Sequence, residues 1–310
     1  MANATVTSTY AGQLALPYVA PAILSADSIA NGYISTRQNV RYKAVLRKVG
    51  GVALQARDCV FGTPSSGQLT LSDVVLTTTQ LKVNEQICNY ELREAWEAEF
   101  MRGANSAAPA ELTNYVAQWM AARVAESVEY NMWQGNYNID TGTSTGAAYS
   151  DFDGIMNKIV AGTPGYEVNL GGALTAANIL AKLQLVATNS PTEITGDYEK
   201  TKIFMSRASY ALYFNALAAT YNLPFLADDT PKRYLGYEVI VPAGFPDDTI
   251  VMSQVENLFF GTDLLTDMTS ATFLNMLGQT GEDSTRGIMQ FSAGCQVVDV
   301  ASVGVARRTT

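Results

Sequence analysis

The stretch that decides the fold reads PAELTNYVAQWMAARVAESVEYNMWQ from Pro109 to Gln134. It stops at Gly135 and resumes, after a Gly/Ser/Thr-rich run, as Asp151-Phe152-Asp153-Gly154-Ile155-Met156-Asn157. Pro109 suits a first helical turn, and Glu111 complements the positive end of a helix. Leu112, Val116, Met120, Val124, Val128 and Met132 recur at steps of four. Each step overshoots a turn by about 40°, so the stripe winds roughly 200° around a rod about 36 Å long. One flat partner does not cover such a stripe, so different elements are expected against successive turns, with Trp119, Tyr130 and Trp133 widening the apolar surface.

Upstream, the residues from Tyr42 to Cys88 favour strands: Val45, Leu46, Val49, Val52 and Leu54 on one arm, then Leu69, Leu71, Val74, Val75, Leu76, Leu81, Val83 and Ile87 on the other. The run Gly62-Thr63-Pro64-Ser65-Ser66-Gly67 punctuates the two arms as a turn, which predicts a long β-hairpin. An isolated hairpin is marginal in water, so a projection of this length implies cover from elsewhere. Tyr90 to Met101 reads as a short acidic helix. Residues 1 to 26 carry no charged side chain before Ala26 ends, and Pro17 and Pro21 interrupt their mildly apolar part, so they read as an extended arm and not as a secretory signal.

Downstream, Leu174 to Thr188 reads as a helix and Lys202 to Ser206 as a buried strand. Ser206 or Ser209 is placed to cap a helix running through Ala219. Tyr234 to Val241 and Thr249 to Ser253 read as strands around a Pro/Gly/Asp turn, and Met289 to Phe291 and Gln296 to Val305 supply late strands. The fold class expected from this order is α+β, with two modules or one module with projections suggested by the length of 310 residues.

Composition narrows the function. With 47% apolar and only 16% charged residues the chain has ample core material and a thin charged coat, which large protein contacts explain. A formal charge of -9 opposes tight unspecific binding to nucleic acid, which depends on Lys and Arg neutralising phosphates. The local charge is uneven: Arg37, Arg41, Lys43, Arg47, Lys48 and Arg57 stand in a segment without an acid, whereas Glu85, Glu91, Glu94, Glu97 and Glu99 face only Arg93 in theirs. Subunits that meet positive against negative use such asymmetry to set register. No stretch reads as a membrane span.

Histidine is absent, which removes Ser-His and Cys-His nucleophile pairs and most zinc and haem sites. Cys59, Cys88 and Cys295 form no C-x-x-C and are expected as small buried side chains. Asp151 and Asp153 before Gly154 suggest part of a calcium loop, but the twelfth position is Gly162 where a bidentate Glu is needed. Asp228-Asp229, Asp247-Asp248 and Glu282-Asp283 fit solvated turns better than acid/base pairs. No phosphate-loop, dinucleotide or nucleophile-elbow motif occurs. No catalytic, cofactor or metal residue is therefore assigned.

Taken in order, the uncharged arm, long hairpin, acidic helix, spine-like helix, glycine-rich junction and mixed module resemble a major capsid protein of tailed bacteriophages, of the Hong Kong 97 type. The resemblance is carried by Trp133-Gln134-Gly135 leading to Phe152-Asp153-Gly154-Ile155-Met156, by Lys202-Ile203-Phe204-Met205-Ser206 with Tyr210 and Leu212, and by Tyr234-Leu235-Gly236-Tyr237-Glu238-Val239 followed by Pro242, Pro246 and Ile250-Val251-Met252. Glu238 stands where the family has proline.

The resemblance implies an N-terminal arm (1–40), an extended loop (41–86), a peripheral domain (87–150) with a spine helix at about 109–134, an axial domain (151–285), and late strands (286–310) returning to the peripheral domain. It implies a homo-oligomer of hexamers and pentamers forming an icosahedral shell, assembled in the host bacterial cytoplasm and located in the virion. The shell would enclose double-stranded DNA without sequence-specific binding, with portal, scaffolding and decoration proteins as further partners. No fused scaffolding segment is expected ahead of the arm, and no lysine lies at the loop tip from Gly62 to Thr70 for a covalent cross-link. Arg37, Arg41, Lys43, Arg47, Lys48 and Arg57 are expected to meet Glu91, Glu94, Glu97 and Glu99 of a neighbouring copy. An encapsulin-like compartment shell shares the fold and stands as the alternative, and a carboxylate- or metal-dependent enzyme as a third reading.

Overall fold

Two six-stranded sheets and the long helix between them organise the chain, as seen in a computed structural model that describes residues 7–11, 26–50, 70–88, 112–138, 143–144, 150–221, 232–263, 270–276, 280–282 and 284–308. In chain order the elements are β1 (Thr7–Ala11), α1 (Asp27–Ala30), β2 (Ser35–Arg37), β3 (Lys43–Gly50), β4 (Thr70–Thr77), β5 (Thr79–Cys88) and α2 (Leu112–Gln134). A small ribbon, β6 (Tyr137–Asn138) with β7 (Thr143–Ser144), precedes α3 (Ile155–Ala161), β8 (Tyr166–Asn169), α4 (Ile179–Asn189), α5 (Thr192–Thr195), β9 (Thr201–Met205) and α6 (Arg207–Tyr221). The remainder is β10 (Arg233–Tyr234), β11 (Tyr237–Ile240), β12 (Thr249–Gln254), β13 (Leu258–Thr262), β14 (Ser270–Asn275), β15 (Ser284–Val297) and β16 (Gly304–Arg307).

The helix read from Pro109 to Gln134 is α2, Leu112–Gln134, and residues 109–111 lie outside the described residues. Met120, Val124, Val128 and Met132 are buried, and so is the adjacent row Ala121, Ala125, Glu129 and Trp133. Burying each large apolar side chain of this face contributes about 1.5–3 kcal/mol. Different elements cover the last turns: α1 lies over Glu129, while Trp133 packs at 5.3 Å from Phe204 of β9 and 5.0 Å from Phe245 of the β11–β12 connection. The helix ends where Gly135 donates its N–H to Asn131 O and accepts that of Gly154, each at 2.8 Å. A Cβ on Gly135 would sit 2.2 Å from Phe152 O, and one on Gly154 would sit 2.7 Å from Asn131 O, so the two backbones touch only because both residues lack side chains.

The first sheet has the order β1-β14-β15-β13-β2, and β5 joins the other side of β15. The second has the order β10-β11-β9-β12-β16-β8. Both faces of the second sheet are buried: Phe204, Val251 and Val305 turn to the core around α2 and α3, while Ile203, Met205, Ile250, Met252 and Ala306 turn to a second core under α4 and α6. That two-sided burial is why β9 and β12 read as unbroken apolar runs. At the start of α6, Ser206 Oγ accepts the N–H of Ser209 at 3.1 Å, the capping that the sequence suggested.

Several sequence expectations are corrected. The helix expected from Leu174 begins at Ile179, because Asn178 Oδ1 accepts the N–H of Thr175 and Asp248 Oδ1 that of Leu174, holding the preceding residues in a turn. The two late strands are instead one 14-residue strand, β15, and a short β16 after a helical turn at Val300–Ser302. In the segment read as an extended arm, Thr7–Ala11 forms a strand that pairs antiparallel with β14 of its own chain. Cys295 is buried as expected, with its thiol pushed up by burial, but Cys88 is exposed.

Strands cross the expected division of the chain. β13 and β14, from the segment read as axial, pair into the first sheet, and β16, from the segment read as returning to the peripheral domain, pairs with β12 and β8 in the second. β5 spans position 86 and pairs with β15 from Thr79 to Cys88. The short helix read at Tyr90 to Met101 lies outside the described residues.

Candidate inter-subunit surface

β3 and β4 form an antiparallel ladder from Lys43↔Thr77 to Gly50↔Thr70. Because side chains alternate across a strand, the pairs divide between two faces. The inner face carries Ala44, Leu46, Val74 and Leu76. Leu46 and Leu76 are buried against Val40, Phe259 and Val298 of the same chain. At the root, Thr78 donates its N–H to Tyr42 O at 3.0 Å and Val40 its N–H to Thr262 O at 3.0 Å. The hairpin base sits directly on the first sheet where Gly261 and Gly294 are opposed: a Cβ on Gly294 would lie 2.2 Å from Thr77 O, and one on Gly261 2.7 Å from Leu76 Cδ2.

The outer face is different. It carries Val45 opposite Val75 and Arg47 opposite Asp73, with Leu71 next along β4. Val45 (48% exposed), Leu71 (65%) and Val75 (44%) stand on it, and Tyr42 (64%) is exposed at the root of the ribbon, just before β3. Exposed apolar side chains that alternate with a charged pair, Arg47 and Asp73, along one uncovered face make it a candidate protein contact surface. The strip was not singled out from sequence. Its signal was there in the adjacent pairs Val45-Leu46 and Val74-Val75, which put an apolar residue on each side of the same ribbon.

The basic residues named from sequence fall around this hairpin but do not act alike. Arg37, at the end of β2, and Arg41 are exposed, and Lys43 is exposed with its Nζ 5.0 Å from the centre of the Tyr42 ring. Arg47 is exposed and lies 3.8 Å from Asp73 across the ladder, a solvent-screened pair of small worth. Lys48 points inward and pairs with Asp299 of the same chain. Burial pushes the Asp299 carboxyl up, but hydrogen bonds from Lys48, Ser302 and the Ala301 N–H together with the Lys48 charge outweigh it, so the carboxyl sits below its ordinary range. Lys48 thus anchors the hairpin to its own body. Arg57, Glu91, Glu94, Glu97 and Glu99, like the tip at Gly62 to Gly67, lie outside the described residues.

Beside this hairpin a groove of about 680 Å³ runs between α2 and β5. Met120, Val124 and Phe291 floor it and Lys82, Glu85 and Glu126 stand at its rim. Of the acidic residues considered for chemistry, Asp151 and Asp153 are used structurally, and Asp228, Asp229 and Asp283 lie outside the described residues. Asp151 is held to α2 by Asn131, whose Nδ2 donates to Asp151 Oδ2 at 3.0 Å and whose Oδ1 accepts the Asp151 N–H at 3.1 Å. Asp153 accepts from Asn157 Nδ2 and Lys158 Nζ, each at 2.7 Å, at the start of α3. Among the described residues no three His, Cys, Asp or Glu side chains converge to hold a metal ion.

No protein-family model matches the chain, and no curated protein sequence does. Solved structures do match in fold. A chain from the satellite phage P4 procapsid that includes the size determination (Sid) protein aligns with a TM-score of 0.60 at 14% identity, covering 92% of this chain and 95% of that one. The capsid of the native GTA particle gives 0.59 at 14% identity, covering 94% and 91%. The virus-like particle from Pyrococcus furiosus gives 0.52 at 8% identity, covering 96% and 99%. The chain has the fold of phage capsid subunits along nearly its whole length.

Proposed function

We propose that this chain is a shell subunit that assembles with copies of itself into hexamers and pentamers of a tailed-bacteriophage head, enclosing double-stranded DNA. The observation that carries the reading is the hairpin with one face packed on its own body and the other uncovered, with Val45, Leu71 and Val75 exposed on it. The likeness in fold to chains from procapsid and capsid particles supports the identity of the partner as a second copy. In this reading Val45, Leu71 and Val75 supply the desolvated centre of the contact, and Arg37, Arg41, Lys43 and Arg47 set its register against an acidic neighbour, with Glu91, Glu94, Glu97 and Glu99 as its acidic side. Lys48 has no such role, because Asp299 holds it. The chain's acidic balance fits enclosure of DNA without tight contact. Portal, scaffolding and decoration proteins are the further partners of this reading, and the virion is its location.

Electron microscopy of the purified protein across a concentration series tests the proposal: closed shells are the expected result, and a monomer that never associates would overturn it. A protein compartment is the second reading, and the likeness to the Pyrococcus furiosus particle favours it specifically. Nuclease-protected DNA in purified particles selects the phage head, and a stoichiometric protein cargo without DNA selects the compartment.

A further inference from the structure

At one end of the second sheet, β10 and β11 pair as Arg233↔Glu238 and Tyr234↔Tyr237, which leaves Leu235 and Gly236 as a two-residue turn. Both turn residues have left-handed φ, 48° and 93°, and a turn of this kind favours Asn-Gly. A leucine is strained there, because its Cβ crowds the following carbonyl oxygen. No packing among the described residues offsets that strain: Leu235 is 58% exposed and joins none of the core clusters. Tyr198 is exposed beside it, its ring 3.3 Å from where a Cβ on Gly236 would sit. Lys232 and Arg233, just before the turn, are exposed and pair with no carboxylate among the described residues. An apolar side chain held in a strained conformation at an exposed tip, next to free cations, points to use in a contact.

We propose that this tip is a contact knob received by a second copy of the chain, in a recess at the opposite end of the same sheet; the inference rests on the reading of the chain as a shell subunit. β11 runs away from the tip in parallel with β9, and β12, antiparallel to β9, starts at Thr249 at that far end. There Met156, Pro246, Asp247, Asp248, Arg307 and Arg308 line a recess of about 410 Å³. Met156 and Pro246 give it an apolar wall. Asp247 is exposed and pairs with no Lys or Arg among the described residues, while Asp248 Oδ1 accepts the N–H of Leu174 at 2.8 Å. Arg307 is taken by Glu167 at 2.7 Å, so Arg308 alone stands against the two carboxylates. The tip brings an apolar side chain and two free cations to this recess, and complementary charge of that kind fixes partner and register. Knob and recess are different surfaces of one chain, so their contact is head-to-tail, the type that closes into rings. Hexamers and pentamers are such rings.

Leu235→Asn tests the knob, because its two expected effects have opposite signs. Asparagine suits the left-handed turn, so thermal unfolding of the unassembled chain should move up by about 2 °C. Covering a leucine exposed to this degree is worth about a tenfold factor, so the variant should need about tenfold more protein to associate in sedimentation velocity. Unchanged association of the variant, in a native chain that assembles, overturns the knob and leaves the shell reading standing. A lowered unfolding temperature also overturns it, since Leu235 would then be holding its own chain. A native chain that never associates overturns the shell reading and the knob together. Leu235→Gly, whose backbone enters the left-handed region freely, is the second variant and should read the same way. The receiving site has its own test: Arg233→Asp and Asp247→Arg should each weaken association and, combined in one chain, restore it, and a double variant as weak as either single one overturns the recess.

Discussion

Replacing Val45, Leu71 and Val75 together by Thr keeps the β-propensity of the hairpin and removes most of its outer apolar strip. Full burial of side chains of this size stabilises by about 1.5–3 kcal/mol each, and scaling by the fractions now exposed gives about 3 kcal/mol for covering the three on assembly. At about 1.4 kcal/mol per tenfold, the variant needs a concentration on the order of a hundredfold higher to associate. Its folding is expected to shift by less than about 0.5 kcal/mol per site, since the side chains are already in water. Sedimentation velocity across a dilution series measures the first quantity, and thermal unfolding of the unassembled chain measures the second. Leu46→Ala on the opposite face is the contrast: it empties a site closed by Val40 and Leu76, and should cost about 2–5 kcal/mol of stability in the unassembled chain. Association of the triple variant at native concentrations would refute the assignment of the outer face.

Reversing Arg41 and Arg47 to Glu should weaken association and flatten its salt dependence while unfolding of the lone chain moves by less than about 1 kcal/mol, because among the described residues the only ion pair lost is the exposed one to Asp73; unchanged assembly would refute the electrostatic register. Gly135→Ala should destabilise the chain by about 3 kcal/mol in denaturant unfolding, since its Cβ meets backbone oxygens of Phe152 and Asn131 that have no room to retreat. Asp299 has a lowered carboxyl value, so its stabilising pair with Lys48 holds above the ordinary aspartate value of about 3.9 and is lost as pH falls through the folded one. Acid unfolding followed by circular dichroism should therefore show a component below about pH 4 that Lys48→Met removes; identical acid limbs in the two proteins would contradict it.

The parts of the fold legible in the sequence are those where one local rule governs. The spine helix showed through its four-residue repeat, and β9 and β12 through apolar runs that two-sided burial demands. The Gly135 and Gly154 junction showed through glycines that nothing larger could replace. What stayed hidden depends on distant partners. β14 reads Ser-Ala-Thr-Phe-Leu-Asn and has little apolar period of its own; it is a strand because β15 and β1 flank it. Lys48 looked like its basic neighbours because nothing local announces Asp299, 251 residues away. Glu129 is not singled out by the sequence reading, although it extends the row Ala121–Ala125 that lies beside Val124 and Val128, and that adjacency is the available hint.

A hairpin is a poor structure to leave half covered. Its inner support among the described residues is a small cluster around Val40, Leu46 and Leu76, while β3 and β4 each keep an outer edge unpaired in a sheet of only two strands. Two strands alone are marginal in water, and open edges invite indiscriminate pairing. Lys43, Arg47 and Asp73 discourage that pairing by placing charge along the ribbon, yet the same ribbon keeps Val45, Leu71 and Val75 exposed between the charges. Charge that repels generic partners around an apolar strip that rewards a fitting one is the pattern of a surface selected for a specific contact. The anchoring of the root through Lys48–Asp299 and the Gly261–Gly294 seat fixes where the strip points, so in the proposed shell the contact face is already oriented before association and less ordering has to be done.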